Sequence, residues 1–209
     1  MRDDFSHALQ PVKISALRPT QMTVGLREVD RKRADWKARS ERGRPTFLGQ
    51  HMVPVVLGPN SVHYVIDHHH LVRALHEEGV NRVLVSVVAD VHYLKKSVFW
   101  TFMDNRNWLH PFDTEGSRHP HDKLPKHIGA MKDDPYRSLA GELRRSGGYA
   151  KDATPYSEFL WADFLRHRVS LKLVKNDFER AIAKALDAAA QQDASYLPGW
   201  SGRADDASH

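Results

Sequence analysis

Tyr64-Val-Ile-Asp-His-His-His-Leu-Val-Arg-Ala-Leu75 decides how this chain folds. A short β-branched run stops at Asp67, three histidines follow, and Leu71, Val72 and Leu75 then take up a helical spacing. That is a strand running into a helix, with titratable residues packed into the turn. A helix N-terminus presents N–H groups without helical acceptors and a positive partial charge, which together favour phosphates and other anions. Histidine and aspartate placed there can move protons or hold a metal.

Elements on either side fall into place from this point. Residues 53–57 and 62–66 read as strands, and Gly58-Pro-Asn-Ser61 between them makes a hairpin. The helix opened by the histidines, 68–79, stops at Gly79, and the valine-dense stretch 82–91 reads as a buried strand. Upstream, 12–17 is a first strand, 26–40 a polar helix around Leu26, Val29 and Trp36, and Arg42-Gly-Arg-Pro45 a loop. Downstream, 94–103 is helical and the proline-rich 108–125 a long loop, with His110, His119, His121 and His127 as loop residues. Helices follow over 135–145, 157–166 and 174–191, the last with Val174, Phe178, Ile182 and Leu186 on a buried face; the tail from Leu197 frays. The expected class is α+β, with one domain over 1–112 and a helical extension over 113–209.

The chain has 209 residues, 41% of them hydrophobic and 27% charged, enough for a packed core. With no cysteine, disulfides, thiolate nucleophiles and zinc–cysteine sites are excluded. No apolar run is long enough to span a bilayer, and Met1–His7 lacks the basic-then-apolar pattern of a secretory signal, so a cytoplasmic protein without membrane contact is expected. The formal charge of +5 is compatible with nucleic acid as a partner, although the basic residues are spread over several segments in the manner of solvated helix faces.

The front half resembles the ParB/sulfiredoxin superfamily. Its layout of glycine, strand, hairpin, polar turn and helix appears as Leu48-Gly-Gln-His-Met-Val-Pro-Val-Val56, Val62-His-Tyr-Val-Ile66 and Asp67-His-His-His-Leu-Val-Arg-Ala74. The ParB turn G-E-R-R-x-R-A falls over His68–Ala74, and the later box E-N-x-x-R-x-x-L-N-P is similar to Asp104-Asn-Arg-Asn-Trp-Leu-His-Pro111 with a shorter gap. Asp67–Leu71 and the Pro-Thr-Gln-x-x-Val-Gly stretch at Pro19–Gly25 are similar to the ParB-like nuclease branch. The resemblance covers roughly residues 11–112 and implies the ParB/sulfiredoxin-like small mixed sheet with packed helices.

For function the resemblance implies a nucleotide phosphate at the polar turn and Mg²⁺ with the nucleotide as cofactors. A phosphotransferase or NTPase is the first reading. A nuclease or phosphodiesterase, and a non-catalytic nucleotide- or DNA-binding partition-type protein, are the alternatives. The partner is then a nucleotide or a phosphorylated small molecule. Sulfiredoxin chemistry is out, because it needs a cysteine where His69 stands. Histidine in place of the turn glycine at 68, and Leu71 in place of the second arginine of G-E-R-R, depart from ParB-type phosphate binding.

The candidate residues follow. Asp67 is the expected N-cap and a magnesium ligand or base. His68, His69 and His70 diverge by about 100° per residue, so at most two face one ligand, as phosphate donors or, for His69 and His70, as proton carriers. A transition-metal site from Asp67 and two histidines is a lesser alternative. By the resemblance, Glu28 corresponds to the acidic base of the serine-kinase relatives, Asp104 to a metal ligand, and Arg73, Asn105 and Arg106 to phosphate-binding groups. Each also has a plain structural role available: exposed acid near a helix start for Glu28, helix end and loop for Asp104–Arg106.

Overall fold

The computed structural model describes residues 10–202, and the chain divides into two compact units. Among the described residues the first unit comprises 10–24 and 29–132, and the second comprises 25–28 and 133–202.

The first unit is built on a five-stranded mixed sheet. Its strands are β1 (Gln10–Lys13), β2 (Leu17–Pro19), β4 (Val53–Gly58), β5 (Val62–Val65) and β6 (Arg82–Asp90), in the order β1-β6-β4-β5-β2. Two short strands, β3 (Thr23–Val24) and β7 (Lys132–Asp133), lie outside this sheet. The helices are α1 (Leu26–Lys37), whose first turn belongs to the second unit, α2 (Gly43–Gln50), α3 (His69–Glu77) and α4 (Lys96–Asn105). Strands 53–57, 62–66 and 82–91 share one sheet, as the sequence leads one to expect.

The first strand differs from expectation. Instead of one strand over 12–17, a 3₁₀ turn at Ile14–Ala16 separates β1 from β2, and these lie on opposite edges of the sheet. Five flat strands would place those edges about 19 Å apart. The turn between them rises only about 2 Å per residue. The sheet therefore curls until its edges come within reach of three residues.

The hairpin turns through left-handed Asn60 and Ser61 (φ 59° and 56°), pairing Val55 with Val65 and Gly58 with Val62. Gly58 is dictated by close packing: a β-carbon there would sit 2.7 Å from the rings of Phe99 and Tyr64. Strand β6 is less buried than its valines suggest. Its pairing with β4 skips Val88, so this residue bulges out and is 46% exposed, while only Val83 and Val85 are fully enclosed. Val56, Phe99, Trp100 and Met103 form the core beside α4, and α3 buries Leu71, Val72, Ala74 and Leu75. Gly79 ends α3 with φ 71°, its N–H on His76 and that of Val80 on Leu75. The expected loop at 42–45 is instead the start of α2; Pro45 lies in the first turn, where a missing N–H costs nothing, and Phe47 is buried.

The second unit is helical: α5 (Pro135–Arg145), α6 (Ser157–Arg166), α7 (Leu171–Asn176) and α8 (Phe178–Ala189). Its core includes Leu139, Leu143, Trp161, Leu165, Ala181 and Ala185. The helix expected over 174–191 breaks at Asp177, whose backbone (φ −146°, ψ 81°) leaves the helix and whose side chain caps α8 on Arg180 N–H. The fully buried stripe of α8 is Ala181, Ala185 and Ala189, with Phe178, Ile182 and Leu186 flanking it. The expected fraying tail is packed over 197–200, and 203–209 lies outside the described residues. Leu197 is buried, Trp161 Nε1 donates to Pro198 O, Ala150 N–H to Gly199 O, and Trp200 Nε1 to Ala189 O. No helix among the described residues is long and apolar enough to cross a membrane.

Candidate functional site

The turn between β5 and α3 carries the unusual geometry that its sequence suggests, but by a different route. Asp67 is not the helix cap. His68 occupies that position with a left-handed backbone (φ 64°, ψ 22°) and makes no side-chain cap bond. The exposed Asp67 carboxylate accepts the His68 N–H at 2.6 Å instead. Left-handed backbone at a residue with a β-carbon costs on the order of 1 kcal/mol or more. The same position carries glycine in the ParB-type turn, which has no β-carbon to be strained. His68 Nδ1 is moreover buried with no hydrogen-bond partner. A strained residue holding an orphaned buried nitrogen at a helix start is a departure that packing alone does not account for.

His69 and His70 point inward and are 4% and 8% exposed. His69 Nε2 accepts the backbone N–H of Thr20 at 3.3 Å. An accepting Nε2 leaves Nδ1 to carry the proton. Burial drives the His69 pKa down to about 4, against the nearby Asp67 charge and a hydrogen bond to the Val65 backbone. At neutral pH this ring is uncharged and committed to backbone partners.

Thr20 is the unforeseen organiser. Its Oγ1 donates to Val65 O at 2.7 Å, its N–H goes to His69, and its carbonyl accepts the His110 N–H at 2.8 Å. Gln21 bridges to His110 in a parallel pairing and donates from Nε2 to Thr23 O. Thr20, Gln21, Thr23, His69, His70 and His110 are all buried. The Pro-Thr-Gln stretch and the histidine turn are thus parts of one structure. His110, read from sequence as a loop residue, is enclosed and stacks on Phe112 with ring centres 4.6 Å apart. The clue available in the sequence was the co-occurrence of the two stretches, not their spacing.

Most of the remaining candidates have structural partners. Arg73 donates to Glu77 and to the carbonyls of Met131 (2.8 Å) and Ile128 (3.5 Å), clamping that segment to α3. Asp104 at the end of α4 receives Arg118 on both oxygens, at 2.9 and 2.7 Å. Asn105 and Arg106 are exposed, with the Arg106 guanidinium near the Phe102 and Trp108 rings. Glu28 belongs to the second unit, where its Oε2 lies 3.4 Å from Arg137 Nη1 and Gly141 leaves room for both. Arg137 also faces Glu158 at 3.9 Å.

Magnesium finds no ready donor set. Asp67 and Asp104 are each engaged by protein donors, and among the described residues no group of three or more His, Asp or Glu converges on one point.

With a curled mixed sheet, a strained histidine turn at the start of α3 and a helical second unit, the chain has an α+β fold that the family comparison identifies. A family model described as "Putative ParB-like nuclease" matches residues 10–167, and the chain belongs to that family. Among solved structures it is similar to protein Atu1540 from Agrobacterium tumefaciens, with 48% identity and a TM-score of 0.87 over 93% of this chain and 98% of that one. No curated protein matches.

Proposed function

We propose that this protein binds the phosphate of a nucleotide at the turn between β5 and α3 and transfers or hydrolyses a phosphoryl group. The observation that carries the reading is His68. Its backbone is strained, its Nδ1 is buried without a partner, and it caps α3, a helix start of the kind that attracts anions. A phosphate oxygen at this point would satisfy the nitrogen and offset the strain. Arg18 Nη1, on the strand paired with β5, is a second buried nitrogen without a partner.

The second reading is cleavage of a phosphodiester, and the description of the family favours it. Both readings need the same phosphate grip. The departures at His68 and Leu71 from the ParB turn argue against ParB-type nucleotide contacts and for a grip through the imidazole.

Thermal melting with ATP, CTP, ADP and pyrophosphate, with and without magnesium, tests the grip. A ligand at 100 times its Kd should stabilise the protein by about 2.7 kcal/mol. The shift should disappear in His68→Gly, which keeps the backbone and removes the nitrogen. If none of the four ligands moves the melting temperature of the wild type, the phosphate reading fails. If His68→Gly keeps the full shift, the role of His68 fails.

A further inference from the structure

The turn that would hold a phosphate is poorly supplied with groups to move a proton. His69 is buried, neutral and bonded through Nε2, and Asp67 is engaged by the His68 amide. A better acid–base group stands in the hairpin that springs from His110, the residue tied through Thr20 to the same turn.

That hairpin is tightly made. Phe112 and Arg118 pair across it, His119 N–H donates to Pro111 O at 2.7 Å, and Asp113 N–H donates to Ser117 O at 3.0 Å. Arg118 pins it to the end of α4 through Asp104. The two oxygens of Asp113 have separate tasks. Oδ1 accepts the N–H groups of Glu115 (3.0 Å) and Ser117 (2.9 Å), which fix the carboxylate in place. Oδ2 lies 2.5 Å from His119 Nε2. In the neutral ring a carboxylate at that distance fixes the proton on Nε2 and leaves Nδ1 with a lone pair. Among the described residues nothing bonds to Nδ1, and the His119 side chain is 37% exposed. Partial burial would push the Asp113 carboxyl up, but His119 and the turn amides hold it below the usual range, so it stays ionised beside the ring.

We infer that Asp113 and His119 form an acid–base dyad, with His119 Nδ1 as the general base toward a phosphoester. The inference rests on the phosphate reading of the turn. In hydrolysis, water gives one proton to Nδ1 as its oxygen bonds to phosphorus. The ester oxygen opposite leaves with the electron pair of the broken P–O bond and is protonated by solvent, to which the imidazolium then returns its proton. Asp113 remains ionised throughout and holds the Nε2–H, as an orienting carboxylate does in other histidine dyads. The exposed Arg106, two residues beyond Asp104, offers a guanidinium for the phosphoryl oxygens.

A second acid–histidine pair, Asp90 and His92, provides the contrast. There one oxygen, Asp90 Oδ1, takes both the backbone N–H (3.2 Å) and Nδ1 (2.6 Å) of His92, a local turn bond with no separate fixing of the carboxylate.

The experiment measures two things on the full chain: hydrolysis of bis(p-nitrophenyl) phosphate and the melting shift with pyrophosphate. His119→Gln should lower hydrolysis by about 10²-fold or more while the pyrophosphate shift persists. Asp113→Asn, which can still accept the turn amides, should lower it as well, and His92→Gln should leave it unchanged. Melting of each variant without ligand reports folding. Binding of pyrophosphate without hydrolysis by the wild type overturns the dyad, as does hydrolysis that a folded His119→Gln leaves intact. Absence of the pyrophosphate shift in the wild type, with hydrolysis still dependent on His119, overturns the phosphate turn and keeps the dyad. Neither binding nor hydrolysis overturns both.

Discussion

Helices α5 and α3 both begin beside an acid, and they begin in opposite ways. At α5, Asp134 takes the cap position with an extended backbone, accepts Tyr136 N–H at 2.9 Å, and is followed by Pro135 at the first helical position. The carboxylate is 1% exposed and also receives Arg166 at 3.2 Å. Every local preference agrees with the helix that forms. At α3, the acid stands one position too early, the cap is a left-handed histidine without a cap bond, and a ring nitrogen is left orphaned. A start like that of α5 is what stability alone selects. A start like that of α3, which α6 repeats at left-handed Tyr156, persists only where the surrounding structure holds it.

The contrast can be broken most directly at its stable end. Asp134→Ala removes a cap and leaves Arg166 facing a lost buried partner, so denaturant unfolding should show a loss of about 3–5 kcal/mol. A loss under 1 kcal/mol would mean that the α5 start is not the anchor described above. Next in size is an acid effect at α3. The folded pKa of His69, about 4, lies below its ordinary 6.5. The unfolded chain therefore takes up the proton first, and stability attributable to this ring is full above about pH 6.5 and falls as the pH drops toward 4. The total is roughly 3 kcal/mol. Unfolding curves of wild type and His69→Gln across that window should converge toward the acid end; parallel curves would show that His69 does not titrate as a buried base.

Smaller effects sharpen the picture. Asp67→Ala should cost about 1 kcal/mol by removing the acceptor for His68 N–H, and Asp67→Asn should restore most of it. If Asn is no better than Ala, the bond contributes nothing. Smallest is His68→Gly, where relief of the left-handed strain exceeds the added chain entropy and yields a net gain of about 0.5 kcal/mol. Destabilisation instead would mean that the imidazole is held by packing and not against strain.

Local signals in the sequence were sufficient wherever a single residue type controls the backbone. Gly58-Pro-Asn-Ser61 marked the hairpin, Gly79 the end of α3, and the helices 135–145 and 157–166 have the expected bounds. Signals failed where two of them coincide. The four-residue spacing from Val174 to Phe178 runs straight through Asp177, so the break there is invisible to periodicity. Arg42-Gly-Arg-Pro45 has the composition of a turn, yet proline and glycine are equally at home in the first turn of a helix. Val88 could not be recognised as a bulge, because the skipped register is a property of the partner strand. At the candidate site the turn and its three histidines were legible, since strand, polar cluster and helix are contiguous. Thr20 and His110 were not, because their partners lie 49 and 90 residues away along the chain.

The threading of the chain also bears on how the molecule can be dissected. Residues 25–28 belong with 133–202, so the backbone enters the second unit briefly, leaves it for more than a hundred residues, and returns. Leu26 N–H meets Asp133 Oδ1 at 2.9 Å, Arg27 N–H meets Ser138 Oγ at 3.3 Å, and the Arg27 guanidinium covers the Phe178 ring at 3.8 Å. No single cut in the chain therefore releases an intact helical half. A fragment starting at Asp133 would lack the donors for its first carboxylate and serine and expose a face of Phe178, and it would need residues 25–28 grafted back before its stability could stand for that of the native unit.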